Sequence, residues 1–226
     1  MRDTLVIGES KSTADIVFDK LHEEIATLAI LPGSKISEAD VARRFGVSRQ
    51  PARDAFRRLH NLGFLEIRPQ RATVVRRFSL EEIESTRFIR LAVELEVLER
   101  ACQVWDQGRA DALAQNLDLQ ANALAKNDIG RFHGFDYAFH RLICELSGLP
   151  GAIDMINACK HKVDRLCVLS LSNNENAGVL LDDHRAIAVA LADRSVRDVR
   201  ALLRLHISRL DRTIAEIHQT HASYFQ

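Results

Sequence analysis

The amino-acid sequence predicts a mainly α fold: an N-terminal winged helix-turn-helix followed by an antiparallel all-α bundle of about six helices. Three observations carry that reading. The chain has 226 residues, 46% hydrophobic and 27% charged, a globular composition long enough for one large domain or two ordinary ones. Its 10 Gly and 4 Pro, with 10 Phe, 2 Tyr and 1 Trp, are too few for a turn-rich β sandwich and suit helices. Apolar residues recur at helical spacing, between recognisable caps, over most of its length.

Ile16, Val17, Leu21, Ile25 and Leu28 form the first stripe, and Leu31-Pro32-Gly33-Ser34 stops it. Ser37 is placed to cap a short second helix carrying Ala39, Val41, Ala42 and Phe45. Gly46 ends it, because glycine takes the left-handed C-cap conformation without steric cost. Val47 fills the turn. Ser48 caps a third helix to about Asn61, with Pro51 in the first turn, where its missing N–H loses no partner. Gly63 closes that helix. Residues 64–67 and 73–75 are β-prone and flank Arg68-Pro69-Gln70-Arg71-Ala72, which reads as a small hairpin.

Ser79-Leu80-Glu81-Glu82 has the form of a capping box and sets a boundary near 77–79, giving domains 1–78 and 79–226. Helices are expected at about 80–106, 110–126, 129–147, 151–172, 177–192 and 196–219. Their breaks are Gly108, Asn127-Asp128, Gly148-Leu149-Pro150, residues 173–176 and Asp193-Arg194-Ser195.

Composition excludes several classes. The longest apolar runs, such as residues 186–192, fall far short of the ~20 residues a membrane span needs, and residues 1–12 are charged where a signal peptide is apolar. A soluble cytoplasmic protein is expected. Cys102, Cys144, Cys159 and Cys167 form no C-x-x-C pair and sit in helical patterns, so they read as small buried hydrophobes.

The net charge of zero hides an uneven distribution. Residues 1–78 hold 14 Lys and Arg against 10 Asp and Glu, and the remainder 17 against 21. From Arg43 to Arg77 ten Arg face only Asp54 and Glu66. Such a patch points to an anionic partner bound through its phosphates.

The third helix shows how that partner would be read. Ala52, Ala55, Phe56 and Leu59 make one apolar stripe, while Arg49, Arg53 and Arg57 fall at i, i+4 and i+8 on another face. In a major groove the first-turn side chains meet base edges, where Arg suits guanine and Gln suits adenine. Arg49, Gln50 and Arg53 are best placed for this. Arg57, Arg58 and, on the hairpin, Arg71 suit phosphates, which give affinity without sequence information. The run from Val41 to Leu59, with its G-V-S-R-x-P-x-R core, and the following Leu62-Gly63-Phe64-Leu65 resemble the DNA-binding domain of the GntR family of bacterial transcription regulators. The resemblance covers about residues 13–77. It implies that Arg49 and Arg53 contact operator DNA; with Ser48, Gln50, Arg57, Arg58 and Arg71 they make up the expected DNA-facing set. The family usually has a glycine near the hairpin tip, where this chain has Arg71-Ala72.

A second constellation lies in the helical half. Asp136, Phe139, His140 and Ile143 share one helix face; His184 stands in the stripe Leu180, Leu181, Ile187, Leu191; His206 stands among Val199, Leu202, Leu203 and Leu210. Three histidines and an aspartate on core-facing stripes are costly to bury unless they share a partner, and a divalent metal is the economical one. Such a set suits Zn²⁺, Ni²⁺, Mn²⁺ or Fe²⁺, with Zn²⁺ the default, and an octahedral ion would keep two positions for water or an oxygen ligand. His133, three residues before Asp136, reads as a supporting or surface residue.

This half resembles the FCD effector domain of the FadR subfamily of GntR regulators over roughly 80–220. The matching pieces are Arg90-Leu91-Ala92-Val93-Glu94, Phe135-Asp136-x-x-Phe139-His140, Asp183-His184-Arg185-x-Ile187 and His206. The resemblance implies that Asp136, His140, His184 and His206 bind a divalent metal and that small organic acids coordinate it and engage Arg90. On the residues alone, a surface pair of Arg90 with Glu94 is equally open.

The combined reading is a non-enzymatic transcription regulator that binds an inverted-repeat operator as a homodimer and is controlled by a small carboxylate effector at the metal site. Two alternatives remain. One is a metal-dependent hydrolase with a DNA-binding appendage, with Glu94 and Glu145 open as general bases. The other is a plain dimerisation bundle with a structural ion or none.

Overall fold

The computed structural model describes residues 11–68, 71–171 and 174–226, and side chains within them except at 161, 162, 164, 165, 167–171, 174 and 175. The chain divides into two compact units: one running to Phe78 and joined by Ser223–Gln226, the other Ser79–Ala222.

The first unit contains α1 (Thr13–Ala26), β1 (Lys35–Ile36), α2 (Glu38–Phe45), α3 (Arg49–Asn61), β2 (Leu65–Glu66) and β3 (Thr73–Val75). Ser12 and Asp15 close a capping box at the start of α1. Gly46 ends α2 with φ of 65°, the left-handed conformation that glycine takes without a Cβ penalty. Ser48 occupies the N-cap position of α3, but its side chain accepts no helix N–H, in contrast to the expected cap. Val17, Leu21, Ile25, Ala55, Phe56, Leu59, Leu65 and Val75 pack into one core. The strands form an antiparallel sheet in the order β1-β3-β2, with Lys35 opposite Val74 and Leu65 opposite Val75. The expected hairpin is thus part of a three-stranded sheet. Pro69 and Gln70 of that expected hairpin lie outside the described residues.

The last four residues, assigned by sequence to the helical domain, pack instead with this unit. Phe78 donates its N–H to Tyr224 O (2.8 Å), Gln226 donates to Phe78 O (3.0 Å), and the Phe78 and Phe225 rings lie 5.3 Å apart. Two backbone bonds and a buried aromatic pair outweigh continuation of the preceding helix.

The second unit is a bundle of α4 (Leu80–Val104), α5 (Gln107–Ala125), α6 (Ile129–Leu146), α7 (Ala152–Leu171), α8 (Asn174–Ala192) and α9 (Val196–Thr220). Ser79 caps α4 through Glu82 N–H. Helix α5 begins three residues before its expected start, because Asp106 accepts from Arg109 N and Gly108 is absorbed into the first turn. Helix α8 likewise starts within the expected 173–176 break. Leu98, Ala101, Phe139, Ile143, Ile187, Leu191, Leu203 and Ile207 belong to the main core, which surrounds the site. Cys102, Cys144 and Cys159 are buried thiols; the side chain of Cys167 lies outside the described residues. Among the described residues no helix is long and apolar enough to cross a membrane.

Candidate functional site

Helix α6 presents Asp136 and His140 one turn apart, α8 presents His184 and α9 His206. One ligand-type atom from each lies within 4.8 Å of all the others. All four are buried. The ring of His184 stacks on Phe139 at 4.1 Å between centroids, so packing as well as hydrogen bonding fixes its plane.

The outer face of each ring decides what its inner face offers. His140 Nδ1 lies 2.8 Å from Glu94 Oε2, so its proton sits on Nδ1 and Nε2 carries the lone pair. Arg90 Nη2 donates to that lone pair (3.1 Å) and its Nε donates to Glu94 Oε1 (2.5 Å). For His184 the proton is fixed by a relay. Asn116 Nδ2 donates to Phe135 O (3.2 Å), Gln120 Nε2 donates to Asn116 Oδ1 (2.7 Å), and Gln120 Oε1 is left to accept from His184 Nδ1 (2.8 Å). His184 Nε2 is therefore a bare, buried acceptor without a hydrogen bond, 3.5 Å from Asp136 Oδ1. A bare buried acceptor facing a carboxylate suits a cation between them, and this pattern of ring, lone pair and outer acceptor is the one metal-ligating histidines use. The donor set fits a divalent ion.

Electrostatics agree. Burial pushes His140 down to about 4, against the pull of Glu94. Burial and then the neighbouring His206 hold His184 well below its ordinary value. Both rings are neutral near pH 7, the form that ligates. Burial pushes the carboxyls of Asp136 and Glu94 up, but Lys160 with the histidines outweighs this at Asp136, and Arg90 with His140 at Glu94; both stay ionised. Behind His206, Asp183 Oδ2 lies 3.6 Å from Nδ1, and Asp183 is itself gripped by Arg209 through two bonds of 3.1 and 3.0 Å.

A cavity of about 390 Å³ opens beside the cluster, with Arg90, Asp136, Lys160, His206, Arg209 and Arg212 in its lining. Each cation already faces a carboxylate: Arg90 with Glu94, Lys160 with Asp136, Arg209 with Asp183, Arg212 with Glu216. His133 also lines it.

On the first unit, Ser48, Arg49, Gln50, Arg53, Arg57, Arg58 and Arg71 are all exposed. Arg53 pairs with Glu38 (3.2 Å), Gln50 bonds Asp54 (2.9 Å), and Arg58 pairs with Asp15 (2.7 Å) while its guanidinium lies 3.8 Å from the centroid of the Phe18 ring. Arg58 is thus tied to α1 as well as facing solvent.

Sequence reasoning missed Gln120, Lys160 and the Asp183–Arg209 pair, and left open a surface Arg90–Glu94 pair; the two do pair, but with Glu94 buried and Arg90 half-buried. A signal existed for Gln120 and Lys160. Asn116 and Gln120 continue the buried stripe of Leu113 and Ala123, and Lys160 interrupts that of Ile156 and Val163.

Residues 13–75 match the family model described as bacterial regulatory proteins, gntR family, and residues 86–209 match that of the FCD domain. The HTH-type transcriptional repressor RspR of Escherichia coli (strain K12) is 32% identical over 209 residues, 92% of each chain. Among solved structures, E. coli McbR/YncC superposes with a TM-score of 0.71 at 20% identity, over 94% of this chain and all of the other. A GntR regulator from Rhodococcus sp. RHA1 gives 0.72 at 22% identity, over 91% and 99%. At these identities the two structures attest the fold.

Proposed function

The chain belongs to the GntR family of bacterial regulatory proteins and carries an FCD domain, which makes it a DNA-binding transcription regulator and not an enzyme; we propose that a divalent ion held by Asp136, His140, His184 and His206 makes its helical unit a sensor of small carboxylates. The observation that carries this is the bare, buried Nε2 of His184 facing Asp136 Oδ1, beside a His140 Nε2 lone pair that accepts from Arg90, with the outer nitrogens of both rings fixed by Gln120 and Glu94. Zn²⁺ is the first ion to test, with Ni²⁺, Mn²⁺ and Fe²⁺ after it. When bound, the ion supplies positive charge and open positions for a carboxylate oxygen. The lining of the cavity is charge-balanced by itself, so the ion's charge is what favours an anion there. Arg90 is placed to pair a second acid group through its planar fork.

In the first unit, Arg49, Gln50 and Arg53 read bases, while Ser48, Arg57, Arg58 and Arg71 meet phosphates; the hydroxyl of Ser48, not engaged in capping, suits that role. A single short helix reads few bases, so the protein works as a homodimer on an inverted repeat, in the cytoplasm where the operator lies. RspR, named a repressor, supports repression as the mode. Effector controls operator affinity only through different affinities for two arrangements of the protein, so operator must change effector affinity by the same factor.

Elemental analysis of the purified protein tests the ion, and full occupancy in both Asp136→Ala and His184→Ala would exclude this site. Calorimetric titration of small carboxylates into metal-loaded, chelator-stripped and Arg90→Ala protein tests the sensor. Equal affinities in all three would remove both the ion and Arg90 from the effector site.

A further inference from the structure

Asp136 spends its two oxygens differently. Oδ1 lies 3.9 Å from His140 Nε2 and 3.5 Å from His184 Nε2, while Oδ2 pairs with Lys160 Nζ. Lys160 is only 4% exposed, on a stripe of α7 otherwise filled by Ile156, Cys159 and Val163. Its ammonium also lies 4.2 Å from the centroid of the Tyr137 ring, and it lines the same cavity as Arg90 and Asp136. Packing alone would place an apolar side chain here, since lysine is almost never buried without a charge partner. The carboxylate that balances Lys160 is the one in the ligand cluster. The other three cations of the cavity have carboxylates outside it: Glu94, Asp183 and Glu216.

Resting on the reading that the cluster holds a divalent ion, we propose that Lys160 is a built-in cation shared by the ion site and the anion cavity, which loosens the first and strengthens the second. Holding Oδ2 leaves Asp136 a single oxygen, Oδ1, to turn toward the histidines. The ammonium repels an ion that draws on the same carboxylate. Once that carboxylate serves the ion, Lys160 is the one side chain of the lining whose charge loses its balance, and only one of its three N–H donors is needed for Oδ2. An anion with two acid groups then meets the ion at one end and, at the other, Lys160 beside Arg90.

The two effects have opposite signs, which a purely structural lysine would not produce. Full-length protein, stripped by chelator, is titrated with Mn²⁺ as wild type, Lys160→Gln and Lys160→Arg; the Mn²⁺-loaded forms are then titrated with malonate. Lys160→Gln keeps a hydrogen bond to Oδ2 and drops the charge, so it should bind Mn²⁺ at least roughly ten-fold tighter and malonate at least roughly ten-fold weaker. Lys160→Arg should stay near wild type in both. If Lys160→Gln does not fold, Lys160→Met carries the same test, with Mn²⁺ restoring its melting temperature. Unchanged or weaker Mn²⁺ binding in the neutral variant overturns the inference, as does malonate binding that is absent in wild type or unaltered by the substitution. A wild-type protein that takes up no divalent ion overturns the ion reading itself, and this inference with it.

Discussion

Glu94 on α4 holds the outer nitrogen of His140 on α6 at 2.8 Å with one carboxylate oxygen, and takes the Arg90 guanidinium at 2.5 Å with the other. One buried carboxylate therefore fixes both the tautomer of a candidate ligand and the fork of the candidate effector contact. An ion and an effector held by these groups would be coupled through it.

Replacing Glu94 with Gln tests that coupling. The amide fills the same space, yet it no longer favours the proton on Nδ1 and no longer neutralises Arg90. Loss of such an outer partner typically lowers metal affinity by roughly 10- to 100-fold, and that is the expected loss for Zn²⁺ measured against a competing chelator. The circular dichroism spectrum should be unchanged. Wild-type affinity in Glu94→Gln would mean that Glu94 serves packing alone.

The stability of chelator-stripped protein should fall as the pH drops from 7 to 5. Unfolded histidines take up protons near about 6.5, while burial keeps folded His140 neutral down to about 4 and holds His184 well below its ordinary value. Between about 6.5 and about 4, the value for His140, the unfolded chain binds more protons than the native one, so acid favours unfolding. Asp136 and Glu94, held below the ordinary carboxylate range, keep their stabilising charge through this window and lose it only at lower pH. Thermal melts at a series of pH values check the slope, which His140→Gln should reduce. A flat profile would show that the native rings take up protons as readily as the unfolded ones.

Local chemistry made most of the fold legible, and long-range contact hid the rest. The Gly46-Val47-Ser48 turn and the start of α4 depend on neighbours in sequence, and so could be read there. Strand β1 is two residues whose identity as a strand comes only from pairing with Val74 and Thr73. The tail at Ser223–Gln226 likewise takes its place from backbone bonds to Phe78, which nothing in its own residues announces. In the site, Asp136, His140, His184 and His206 stood out because each interrupts an apolar stripe, and they do converge. Their supporters Gln120 and Glu94 come from helices other than those of the candidate ligands, and pairing across helices has no sequence spacing.

Arg53 and Arg58 should separate in DNA binding. Arg53 is exposed on α3 with one surface pair, to Glu38, which a base edge can outcompete. Arg53→Ala should cost about 1 to 3 kcal/mol of operator discrimination if it makes a two-bond guanine contact. Arg58, stacked on Phe18 and paired with Asp15, should lower affinity for all sequences alike and also lower the melting temperature when replaced by Ala. Fluorescence anisotropy on operator and scrambled duplexes distinguishes the two. Unchanged discrimination in Arg53→Ala would remove it from base readout.

Phe88 tests the homodimer. It is 73% exposed on α4, beside Ile89 at 43%, an adjoining pair of large apolar side chains in a protein that otherwise buries its aromatics well. Covering such a side chain contributes about 1.5 to 3 kcal/mol, and a two-fold interface counts it twice. A charge there should oppose itself across the axis. Phe88→Glu should shift the protein toward monomer in analytical ultracentrifugation and weaken operator binding, because each half-site then binds alone. Neither the ion cluster nor the α3 surface includes Phe88, so metal content should stay at the wild-type level. A Phe88→Glu protein that sediments as wild type would move the dimer interface to another face, whereas loss of the ion together with the dimer would mean that the cluster depends on the partner subunit.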